Sequence, residues 1–137
     1  MADKTSYLKG PKQVVVKTRS ASIADTTARQ IATLPKGSRL MGFLINGVAS
    51  DAVTTATLGF GNTSAANQYV TGADVKTAAA GVGPTLLAGV SGVMGAVLTT
   101  DTPIFVKYAD TGGAATVGSW KASIIYNTGN VTNDDTI

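Results

Sequence analysis

Carboxylates, hydroxyls, lysines and phenols are the groups in this chain with acid, base or nucleophilic chemistry to offer. The 137 residues contain no histidine and no cysteine, and all eight acidic positions are aspartate. A thiolate nucleophile, an imidazole base, the usual zinc ligands and a glutamate acid/base pair are therefore all missing. An enzyme would have to work with Asp, Ser, Lys and Tyr, so catalysis is disfavoured without being excluded. Asp51, Asp74, Asp101 and Asp110 are the candidates for a carboxylate pair, and their spacing alone brings no two of them together.

One stretch has the outline of a phosphate cradle. Gly59-Phe60-Gly61 is followed by Ser64, with Asp74 further on. A dinucleotide fingerprint needs a third small residue opening a helix, because the pyrophosphate rests on that helix's free N–H groups. The residues after Ser64 are too few and too rich in turn and β-branched types to build such a helix before Gly72, and Asp74 comes too early for a ribose-binding carboxylate. Ala56, Leu58 and Phe60 instead alternate with Thr55, Thr57 and Gly59, the pattern of a half-buried strand running into an Asn/Ser turn. Residues 34–39, Leu-Pro-Lys-Gly-Ser-Arg, lack the Lys-Ser/Thr that follows the glycine of a P-loop and read as a turn.

The length suits one domain with its own core. Without cysteine there is no disulfide framework. The first six residues carry no apolar run of the kind a signal peptide needs, so the expectation is synthesis and retention in a cytosol. The most apolar stretch, residues 82–98, is broken by glycines and a proline, and no membrane span is expected. Charge is uneven: residues 1–39 hold eight cations against two aspartates, and the remainder holds three against six. A basic arm over residues 1–20 is therefore expected ahead of a domain over 21–137, with removal of the arm leaving the domain folded. The candidate partner-binding residues are Lys4, Lys9, Lys12, Val14, Val15, Val16, Lys17 and Arg19: the charges would steer an acidic partner, and the valines would add a strand to a neighbour. Within this arm only Tyr7 could stack on a base, so direct nucleic-acid binding is not expected.

Period-two patterns supply the elements that must position these groups. Strands are expected at residues 13–19, 29–34, 39–46, 53–61, 68–71, 93–99, 103–108 and 120–126, the third apolar on both faces. About eight short strands with turns between them give an all-β fold, an antiparallel β-sandwich or barrel. The strands at 103–108 and 120–126 read as a hairpin joined by the Gly-rich residues 110–115. Residues 73–80 are the one helical candidate. Trp120, in phase with Ile124 and Tyr126, reads as a core anchor rather than a stacking platform, and Asp134-Asp135 as solvated charges. Residues 82–97 offer apolar surface for a contact between copies.

Residues 32–70, ATLPKGSRLMGFLINGVASDAVTTATLGFGNTSAANQYV, resemble a pattern of small head proteins of tailed bacteriophages: a Leu-Pro-Lys-Gly turn, an apolar strand, a Thr-Ala-Thr-Leu strand, then Tyr69 and the turn at Gly72-Ala73-Asp74-Val75. The resemblance runs on through residues 96–109, AVLTTDTPIFVKYA, to the strand ending at Tyr126. The chain is thus similar to the jelly-roll cement, or decoration, proteins that clamp the outside of an icosahedral capsid. That resemblance implies a homo-oligomer, dimer or trimer, bound to the major capsid protein on the virion surface, with no catalysis, no cofactor and no small-molecule substrate. It does not cover the first 20 residues. A carbohydrate- or host-surface-binding module of a phage fibre is the alternative, against which stands an aromatic content of 6%.

Overall fold

Alternating burial shapes the strands. Along residues 104–108, Ile104, Val106 and Tyr108 are buried while Phe105 and Lys107 between them are only half-buried. The computed structural model describes residues 13–76, 85–87 and 95–128. Among these residues there are eight strands: β1 (Val14–Ser22), β2 (Arg29–Leu34), β3 (Arg39–Val48), β4 (Thr55–Gly61), β5 (Val70–Asp74), β6 (Thr85–Leu87), β7 (Thr102–Thr111) and β8 (Ser119–Asn127). They form two four-stranded sheets, in the orders β1-β8-β3-β6 and β2-β7-β4-β5, and every neighbouring pair is antiparallel. The first strand pairs with the eighth, the second with the seventh, the third with the sixth and the fourth with the fifth. This is the winding of a jelly roll, a β-sandwich whose chain is folded as a ribbon and then coiled.

The sheets meet through aromatic side chains. Phe43 of β3 stacks on Phe60 of β4 with ring centroids 4.5 Å apart, and Tyr69 closes on Phe43 at 5.9 Å. Toward the other end, Tyr108 of β7 stacks on Trp120 of β8 at 5.7 Å. The inner faces are otherwise aliphatic: Leu34, Leu40, Ile45, Leu58, Ile104 and Ile124 are all fully buried.

A register shift in β3 between Leu40 and Gly42 explains why that strand looks apolar on both faces. The extra residue, Met41, is 52% exposed, and its insertion lets both Leu40 and Phe43 point into the core.

Four sequence expectations need correction or restriction. The strands at 103–108 and 120–126 are not a hairpin: β7 and β8 lie in different sheets, and the Gly-rich connection crosses the sandwich. Each is a central strand with two other neighbours, and the apolar faces that alternation gives them meet across the interior. Ala73 and Asp74 belong to β5 rather than to a helix, Val75 and Lys76 after them are not helical, and residues 77–80 of that candidate lie outside the described residues. Of the strand expected at 93–99, residues 93 and 94 lie outside the described residues and the rest contributes one isolated bridge, Val97 to Arg39, while a strand forms earlier, at β6. Finally, residues 14–20 are not an arm ahead of the domain. They are most of β1, which pairs with β8 over its whole length from Val14↔Asn127 to Ser22↔Ser119, so the boundary expected at residue 20 falls inside a strand.

Candidate interaction surface

Among the sequence-predicted contact residues, Lys4, Lys9 and Lys12 lie outside the described residues. The other five are brought together on β1, the edge strand of its sheet. Val15, Lys17, Arg19 and Ala21 stand opposite Tyr126, Ile124, Ala122 and Trp120, all buried, so these four residues share the core-facing side of the sheet. Val15 packs against the core and Ala21 is buried within it. Lys17 and Arg19 are nonetheless exposed, as long charged side chains on an edge strand can be while their stems lie along apolar surface. Neither makes an ion pair among the described residues, where the salt bridge is Arg29 with Asp25 at 3.0 Å. Val14 and Val16 stand on the outer face, 60% and 55% exposed. Beside them Thr18 shares a 2.7 Å hydrogen bond with Ser123, and Lys121 donates to Ser20 at 3.0 Å.

The main-chain groups of this edge can be assigned by phase. Thr128 donates its N–H to the Gln13 carbonyl at 2.8 Å, which makes residues 13 and 128 a hydrogen-bonded pair of the ladder. Such pairs alternate along an antiparallel ladder. Residues 15, 17, 19 and 21 therefore bond to β8, and the N–H and C=O groups of Val14, Val16, Thr18 and Ser20 face away from it. Ser22, next in that series, is closed off: it donates to the Asp25 carboxylate at 2.8 Å, and its carbonyl accepts the Asp25 N–H at 3.0 Å.

The remaining carboxylates hold loops. Asp51 accepts the N–H groups of Thr116 and Val117 at 2.8 and 2.9 Å and the Thr116 hydroxyl at 2.6 Å. These donors, the hydroxyl foremost, hold its carboxyl down to about 2. Asp74 accepts from the Lys76 N–H and Asp101 from the Lys36 N–H, at 2.8 and 2.9 Å. Asp110 accepts from the Tyr108 hydroxyl at 3.1 Å and the Ala115 N–H at 3.3 Å. Burial, with Asp110 alongside, raises the Tyr108 phenol above its ordinary range even though Ser50 Oγ lies 2.7 Å from it. All five aspartates among the described residues thus accept a main-chain N–H, the role of a turn or loop fastener.

The Gly-x-Gly motif also resolves into packing. Gly59 and Gly61 lie in β4, and a Cβ on Gly59 would press into the carbonyl oxygen of Ala66, which the loop after β4 lays against the strand. Trp120 is 2% exposed and stacked inside the sandwich, which removes it as a sugar or base platform. Among the described residues there is no cluster of three or more side chains suited to a metal ion, and no helix long and apolar enough to cross a membrane.

A chain of the solved cyanophage Pam1 capsid asymmetric unit is similar in structure, with a TM-score of 0.60 over 85% of this chain and 86% of that one, at 20% sequence identity. No family model and no curated protein matches the chain. At this identity the match establishes the fold, which the strand order had already defined.

What sequence reasoning missed is the use made of the aspartates and the way β1 is closed at Ser22. A signal for the second was present: Ser22 and Asp25 are spaced as a side chain capping a turn three residues back.

Proposed function

We propose that this protein is a structural component of a bacteriophage virion, bound as a homo-oligomer to the outer surface of the capsid, where it bridges capsomers and stabilises the shell. The observation that carries this reading is the shared jelly roll: most of this chain superposes on most of a chain from a cyanophage capsid unit. The pattern of turns and strands at residues 32–70 and 96–109 supports the cement, or decoration, role within that setting. So does the use of every described aspartate to fasten loops, since the role proposed is structural and calls for no catalysis. Many weakly attached copies, arranged on closed symmetry axes, can reinforce a pressurised shell together.

The test uses tailed-phage heads assembled without this protein. Added back, the purified full chain should saturate at a fixed number of copies per head, and decorated heads should release their DNA at a higher temperature than bare ones. Heads that take up no protein, or whose DNA release is unchanged by saturation, would count against the proposal.

A further inference from the structure

We infer that the open edge of β1 is a docking strand for an extended acidic segment of a partner protein, which pairs antiparallel with residues 14–20. The inference deepens the virion reading by giving the surface and the chemistry of the contact, but it stands on the geometry of the edge.

Three observations select this edge. First, it is long and regular. The β1–β8 ladder runs nine residues with no register shift, whereas β2 is interrupted between Gln30 and Ala32 and β6 is three residues long. Bulges and brevity are the usual means of blunting an edge, and β1 has neither. Second, no strand among the described residues pairs with the outward main-chain groups, which alternate at Val14, Val16, Thr18 and Ser20, and Asp25 ends the series by satisfying Ser22. An added strand would exchange hydrogen bonds with those residues and stop there. Third, the two faces of the edge carry different chemistry. Val14 and Val16 offer exposed apolar surface on the outer face, and Lys17 and Arg19 project on the other.

The phase also specifies the partner. Residues opposite Lys17 and Arg19 would form non-hydrogen-bonded pairs, in which Cα atoms approach to about 4.5 Å and side chains come closest. Carboxylates two positions apart on the incoming strand would meet both cations, while the residues alternating with them would cover Val16 and its neighbours. A second copy of this chain fits poorly, because pairing the full edge with itself sets the Lys17 and Arg19 of both copies on one face. The competing reading is that the two cations guard the edge against any pairing.

The experiment uses the full chain and two capped seven-residue peptides, one alternating Val with Asp and one alternating Val with Lys. Amide hydrogen exchange is read residue by residue. In the free protein the Val15, Lys17, Arg19 and Ala21 amides should exchange slowly and those of Val14, Val16, Thr18 and Ser20 quickly. The Asp peptide should slow the second set, and the Lys peptide should not. Lys17→Asp/Arg19→Asp should weaken the Asp peptide at least about tenfold and admit the Lys peptide. Val16→Pro removes an outward N–H that β8 does not use, so it should keep the slow set slow while weakening the Asp peptide by at least about tenfold. Fast exchange persisting at Val14, Val16, Thr18 and Ser20 with the Asp peptide, or equal protection by both peptides, would overturn the inference and leave Lys17 and Arg19 as guards. The head-binding assay separates the two proposals. If Val16→Pro binds heads as the unaltered chain does, the docking edge is wrong and the virion role stands. Should the unaltered chain ignore heads while the Asp peptide still protects alternate amides, the virion role is wrong and the edge stands.

Discussion

Asp51 and Thr116, 65 residues apart, are joined by both the N–H and the hydroxyl of the threonine, at 2.8 and 2.6 Å. This contact ties the β3–β4 connection to the β7–β8 connection at one end of the sandwich. Because the donors favour the ionised carboxylate, its folded-state value of about 2 lies below the usual 3.8. A group depressed in this way contributes stability above its unfolded value and loses it as pH falls through the folded one. Stability to urea should therefore decline between about pH 4 and pH 2 through this group. Asp51→Asn should remove that part of the decline, and an NMR titration of the Asp51 carboxyl should give a midpoint near 2. A midpoint at the ordinary aspartate value would show that Thr116 and Val117 do not hold it.

Gly47 stands opposite Trp120 in the β3–β8 ladder. A Cβ there would press into the Ser119 carbonyl oxygen and lie 2.6 Å from the Trp120 Cα, both main-chain atoms that cannot turn aside. Gly47→Ala should cost about 2–3 kcal/mol, at the upper end of the overpacking range. Chemical denaturation would detect it as a lowered midpoint. At Gly72 an added Cβ would meet the Thr57 side chain at 3.3 Å, so Gly72→Ala should cost about 1 kcal/mol or less.

The stack of Phe43 on Phe60 joins the two sheets. Phe60→Ala should destabilise by about 3–5 kcal/mol. A double-mutant cycle with Phe43→Leu and Phe60→Leu, measured in urea, should return a coupling of about 0.5–1.5 kcal/mol. A coupling near zero would mean that the rings only fill space.

The strands were legible in the sequence wherever period-two alternation lasted: residues 29–34 are β2 to the residue, and the expected strands at 39–46 and 53–61 differ from β3 and β4 by two positions at one end. Two kinds of information were not local. Neighbouring strands with a Gly-rich connection look the same whether they pair or cross, because Trp120 and Tyr108 show their alternation but not which layer each faces. β6, at three residues among glycines, is too short to carry a period. The contact residues of β1 were identified by type, yet their surroundings were misjudged. Charges at Lys17 and Arg19 suggested a solvated segment, when an edge strand can hold exposed cations on its core-facing side while their stems lie along apolar surface. The aspartates were illegible for another reason: a carboxylate that fastens a loop and one that is solvated have the same sequence.

Truncation separates the sequence expectation from the structure most directly. An arm ending at residue 20 could be removed without harm, but removing residues 1–19 takes away most of β1, exposes the edge of β8 and uncovers the core beside Val15. Burying a valine is worth about 1.5–3 kcal/mol, and each ladder hydrogen bond about 0.5–1.5 kcal/mol. Against a total of about 5–15 kcal/mol for a domain, the truncated chain should lose most of its stability and expose apolar surface. Truncation is a blunt instrument, since a new edge can also aggregate. A paired proline substitution is sharper. Val15→Pro removes an N–H that bonds to β8 and should cost about 2 kcal/mol or more, whereas Val16→Pro removes one that faces outward and should cost distinctly less. The comparison is made on urea midpoints. It depends only on the phase that the Gln13–Thr128 contact sets, so equal losses for the two variants would show that this phase is wrong and that the open main-chain groups of β1 are not those of Val14, Val16, Thr18 and Ser20.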